Sequence, residues 1–71
     1  MKNIKLLAKR DFEITRDKKV ICKIEKDKQY IAYLYEDTQE FFINVNGNEI
    51  LVAEMLDNYL LKIDEDFKLI K

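Results

Sequence analysis

Apolar residues recur at every second position through much of this chain, which has one glycine and no proline in 71 residues. That period constrains the fold more than any other feature, because successive strand side chains point to opposite faces while helix faces repeat every three to four residues. In KVICKIE (19–25), Val20, Cys22 and Ile24 alternate with Lys19, Lys23 and Glu25, which reads as a strand with one buried face. QYIAYLYE (29–36) is apolar on both faces: Tyr30, Ala32 and Leu34 on one, Ile31, Tyr33 and Tyr35 on the other. Such a strand is central or covered. EFFINVN (40–46) puts Phe41, Ile43 and Val45 on one face and Phe42 on the other. Asn46-Gly47 then signals a tight hairpin, because a type I′ turn needs positive φ at both central residues. NEILV (48–52) is the expected return strand.

Beyond this point the period changes. In AEMLDNYLLKI (53–63), the polar residues Glu54, Asp57, Asn58 and Lys62 fall at helical spacing, and Met55, Leu56, Tyr59, Leu60 and Ile63 form the opposite stripe. That spacing predicts an amphipathic helix within 51–62. DEDFKLIK (64–71) reads as an acidic loop and a short edge strand, and segments 4–9 and 11–15 as two short strands. The expected fold class is therefore α+β: a single domain, 1–71, built as a small sequential antiparallel meander with one helix. In architecture this resembles SH3-like small barrels, although no sequence motif of that family stands here. The expected core is Val20, Cys22, Ile24, Leu34, Phe41, Ile43, Val45, Leu56 and Leu60.

A chain this short buries only about 60% of its unfolded surface, so it holds one small core. The single cysteine excludes an internal disulfide. MKNIKLLAKR lacks the continuous apolar run of an export signal, and no segment approaches the ~20 apolar residues of a helical membrane span. A cytoplasmic protein without membrane attachment is expected. Lys, Ile, Asn, Tyr and Phe make up 33 of the 71 residues. These have AT-rich codons, which points to an AT-rich bacterium, or to a phage or mobile element within one. Small proteins of such elements are often inhibitors or adaptors.

The catalytic inventory is thin. There is no histidine and no serine, so the usual base near neutral pH is missing. Cys22 shares the expected core face and has no histidine partner. Asp64-Glu65-Asp66 lacks the glycine that tight calcium loops use and reads as a solvated turn. No enzyme, cofactor or metal site is expected.

Charge points instead to binding. Residues 1–35 carry a net +5 and residues 36–71 a net −6, within a total of −1. From Gln29 to Leu61 there is no Lys or Arg, while six acids and several aromatics occur. An acidic rim around exposed tyrosines suits a basic protein surface, since tyrosine offers large contact area with little entropy loss. The residues expected to bind such a partner are Tyr33, Tyr35, Glu36, Asp37, Glu40 and Asp57, and basic surfaces of this kind belong to nucleic-acid-binding proteins. The competing reading packs Tyr33, Tyr35 and Phe42 under the helix, out of reach. A second alternative is a nucleic-acid-binding barrel using Lys18, Lys19, Lys23, Lys26, Lys28 and Tyr30, through charge and stacking. A third is a structural module that pairs with its own copy as a homodimer.

Overall fold

The computed structural model describes residues 2–57 and 60–70. The chain forms eight strands: β1 (Asn3–Ala8), β2 (Phe12–Arg16), β3 (Lys19–Ile24), β4 (Gln29–Tyr35), β5 (Glu40–Val45), β6 (Asn48–Met55), β7 (Leu61–Ile63) and β8 (Phe67–Leu69). Six of them make one antiparallel sheet in the order β7-β6-β5-β4-β1-β8, and β2 and β3 form a separate two-stranded sheet. The turn at 64–66 joins β7 to β8 across the two ends of this order, with the Phe67 N–H on the Asp64 carbonyl at 3.0 Å. The sheet thereby curls into a nearly closed barrel.

Turn chemistry sets the register. Asn46 and Gly47 take φ of 54° and 83°, the two positive values a two-residue hairpin needs, and Val45 stands opposite Asn48. The Gly47 N–H is fixed by the Asn44 side chain at 3.1 Å. Asp17-Lys18 makes an equivalent turn between β2 and β3 without a glycine, at φ of 52° and 68°. The longer 36–39 turn closes with Gln39 at φ 58° and its N–H on the Tyr35 carbonyl at 2.8 Å.

β1 and β4 stay paired until the Ala8 N–H meets the Lys28 carbonyl at 3.1 Å. The chain between them then folds back as the β2–β3 hairpin over the concave face of the sheet. Phe12, Ile14 and Ile24 there meet Leu6, Ala8, Tyr30, Ala32, Leu34, Phe41, Ile43, Val52, Ala53 and Phe67. Phe67 packs edge-on against Phe12 at 6.0 Å and Tyr30 at 6.1 Å between ring centres, a favoured aromatic geometry.

The α+β expectation is overturned: the fold is all-β, with no helix among the described residues. The physical reason is a β-bulge. Phe41 pairs with Ala53 and Phe42 with Leu51, so Val52 is an extra residue and both Val52 and Ala53 are buried. Two consecutive apolar residues facing inward shift the parity of β6, and a strand, a shift and a turn together imitate helical spacing. Glu54 and Lys62, read as one polar helix stripe, stand opposite each other on β6 and β7. Asn58 and Tyr59 lie outside the described residues.

The meander is sequential only from β4 to β7, since β1 sits between β4 and β8. Of the expected core, Cys22, Ile24, Leu34, Phe41 and Ile43 are buried, Val45 is half-buried, and Leu56 is exposed, as is Leu60 at 59%. Val20 is 48% exposed because a second bulge intervenes: Ile14 pairs with Cys22 but Thr15 with Val20, which skips Ile21 and turns Val20 outward. Two substitutions test this packing by urea denaturation. Phe41→Ala should lower the unfolding free energy by about 3–5 kcal/mol, whereas Val20→Ala should change it by only about 0.5 kcal/mol.

Candidate functional site

The convex face of the sheet is built by the residues that alternate with the core. On β4 these are Ile31, Tyr33 and Tyr35, while Tyr30, Ala32 and Leu34 point inward. Register then lines up neighbours across the strands: Tyr33 lies between Asn3 of β1 and Phe42 of β5, and Phe42 lies against Leu51 of β6. Ile31 (46% exposed), Tyr33 (42%), Tyr35 (39%) and Leu51 (47%), with half-buried Phe42, form one contiguous apolar patch. No helix covers it among the described residues, so the reading that buried the tyrosines loses its cover. Contiguous apolar surface on a small protein commonly marks an interaction site.

Two local contacts order the patch. Tyr35 and Phe42 pack with ring centres 4.7 Å apart at 42°. The Tyr35 hydroxyl donates a hydrogen bond to the Glu49 carboxylate, passing over Phe42 from β4 to β6. That hydrogen bond, then desolvation and the nearby negative charge, raises the Tyr35 phenol above its ordinary pKa. Glu49 carries no signal in the strand alternation that would single it out. Only the paired register brings it to Tyr35.

The acids gather on the β5–β6 side. Glu40 stands opposite Tyr35 and also opposite Glu54. Like charges directly opposite in a sheet disfavour the fold; Lys62, opposite Glu54 on its other side, offsets part of this. Glu36 and Asp37 lie exposed in the 36–39 turn. Asp57 lies in the connection after β6, which is tied to that turn by the Met55 N–H on the Gln39 carbonyl at 2.8 Å. The fold thus brings Tyr33, Tyr35, Glu36, Asp37, Glu40 and Asp57 to one end of the sheet and its convex face. Lysines mark the other side, with Lys5 opposite Ile31 and Lys68 opposite Leu7.

The lysine cluster is spread out. Lys18 and Lys19 sit at the tip of the β2–β3 hairpin and Lys26 and Lys28 at its base, roughly 20 Å away for six extended residues. Lys23 pairs with Glu13 at 3.7 Å and Lys28 with Glu25 at 3.5 Å, both exposed. Tyr30 is buried, and its hydroxyl accepts the Glu25 N–H at 3.1 Å. Lys28 Nζ lies 5.5 Å from the centre of its ring. Tyr30 therefore offers no free face for a base to stack on.

The β1–β2 link is pinned to the β7–β8 turn by Arg10, 2.6 Å from Asp66 and over the Phe12 ring at 4.9 Å. Among the described residues no group of acids or cysteine gathers as a metal site, and no helix is long and apolar enough to cross a membrane. Compared with family models, curated proteins and solved structures, the chain shows no match.

The Tyr35–Glu49 contact predicts a pH dependence. A raised phenol pKa favours the protonated form in the folded chain. Its stabilisation is therefore complete below the ordinary tyrosine value of about 10 and is lost as pH rises through the higher folded value. In an ultraviolet absorbance titration, Glu49→Gln should move one tyrosine back toward the ordinary value.

Proposed function

We propose that this chain is a non-enzymatic protein-binding module whose convex face docks onto a partner with a basic surface. The observation that carries the reading is the patch of Ile31, Tyr33, Tyr35, Phe42 and Leu51, which no element among the described residues covers, bordered by acids on β5, β6 and the turns beside them. The apolar centre supplies the area removed from water, and tyrosines are effective anchors in such centres. The acidic border supplies orientation and speed of encounter. A cation placed between Glu40 and Glu54 would also relieve a repulsion that the free protein carries. Basic surfaces of the required kind are those with which proteins hold nucleic acid, so docking there would compete with nucleic acid and inhibit the partner.

The test is capture of partners from a low-GC bacterial lysate by the tagged chain, with and without nuclease. The expected result is a stoichiometric protein that survives nuclease, elutes with salt, and is lost with Glu36→Lys/Asp37→Lys. It should also be lost with Tyr33→Ser/Tyr35→Ser, while circular dichroism shows the sheet still folded at the assay temperature. Recovery of nucleic acid, lost with Lys18→Glu/Lys19→Glu, would contradict the reading. So would a chain that recovers only its own copies.

A further inference from the structure

Strand β6 is not paired along its whole length. β7 meets it only from Ala53 to Met55. Beyond Ile63 the chain turns away, and the Asp64 N–H takes the Val52 carbonyl at 2.8 Å. Residues 48–51 therefore have β5 on one side and, among the described residues, no strand on the other. The direction of their backbone groups follows from the hairpin. Val45 and Asn48 flank the two-residue turn, and such a pair bonds to itself. Amide direction alternates along a strand, so Asn48 and Ile50 turn toward β5, and Glu49 and Leu51 turn their N–H and C=O groups to the open side. An unpaired edge of this kind is a template for an incoming extended segment.

Two further features say what segment would fit. Past the end of β7 the edge opens into a groove of about 520 Å³ with Leu51, Ala53 and Ile63 among its apolar walls, and with four acids, Glu54 and 64–66, against the one cation Lys62. The side chains of Glu49 and Leu51 also lie on the convex face, where Leu51 ends the row Asn3, Tyr33, Phe42, Leu51. A strand added here would extend that row by one residue and place its next outward side chain opposite Glu49.

We propose that the open edge of β6 binds an extended segment of the basic partner by β-strand addition. The segment carries an apolar residue opposite Leu51 and a lysine or arginine two positions away, opposite Glu49. Further cationic residues run toward 64–66. As to the charge of the partner, this rests on the convex-face reading; as to the mode of binding, it rests on the edge alone. A second copy of this chain is a poorer occupant, because antiparallel pairing of two such edges about Ile50 would set Glu49 of each copy opposite Leu51 and diagonal to Glu49 of the other, with no cation opposite either acid. The edge exposes the backbone groups of two residues, so the segment gains selectivity from its charges more than from its length.

The experiment uses the full chain, isotope-labelled, titrated at low salt with a synthetic peptide of alternating valine and lysine. One control carries N-methyl groups on alternate backbone amides, and another has glutamate in place of lysine. The expected result is slowed hydrogen exchange at the Glu49 and Leu51 amides, at least tenfold weaker binding of either control, and a similar loss in Glu49→Lys/Glu65→Lys. Shifts at Tyr33 and Phe42 without protection at Glu49 and Leu51 would overturn the edge inference and leave the convex-face reading standing. Equal binding of the N-methylated or the glutamate peptide would overturn it, as would no binding of any peptide. In those cases the convex-face reading is decided by its own capture experiment and tyrosine variants.

Discussion

Burial of the concave face of the sheet beneath the β2–β3 hairpin is the interaction on which the rest of this structure depends. Phe12, Ile14 and Ile24 come down from the hairpin onto Tyr30, Ile43 and Phe67 of a sheet too small to make a core by itself. Arg10 fastens the start of that hairpin to Asp66, and the Asn48 side chain reaches the Ile21 carbonyl at 3.3 Å to fasten its other edge to the β5–β6 turn. The hairpin occupies the concave side, and among the described residues no element covers the convex side. There Tyr33 and Leu51 stand exposed on either side of half-buried Phe42.

The same topology sorts the charges. Because β1 inserts between β4 and β8, Lys5 of β1 and Lys68 of β8 lie on one side of the sheet. The basic-free segment from β4 to β6 lies on the other, with its acids. Had the chain run as a plain meander from the first strand onward, β1 would have sat at an edge beside β2. The charge separation along the sequence survives folding for that reason, and it gives the apolar patch a polarity. The open stretch of β6 belongs to the acidic side, which links the patch and the edge in a single surface.

Much of the sheet was legible from the sequence. The two-faced apolar pattern of residues 29–36 marked β4 as central, and Asn46-Gly47 placed the β5–β6 turn, because both signals are local. What misled was also local. A bulge adds one residue and reverses parity, so the second half of β6 took on a helical period, and Val20 was assigned to the wrong face for the same reason at Ile21. Neither bulge has a signature in the side chains themselves; each is fixed by the register with the other strand of its hairpin. The tyrosine and acid residues were recognised by composition. Their meeting on one face depended on the absence of the expected helix, and Glu49 and the open edge of β6 became visible only once the register was known.

The most direct test of the central claim is the solvent exposure of the convex face in the free protein. A soluble gadolinium chelate added to the isotope-labelled chain should attenuate the side-chain signals of Ile31, Tyr33 and Leu51 strongly and leave Phe41, Ile43 and Val52 nearly untouched, with strand-type shifts through 48–55. Protection of Tyr33 and Leu51, accompanied by helical shifts within 51–62, would mean that the face is covered, and the account of this protein as an uncovered binding sheet would fail.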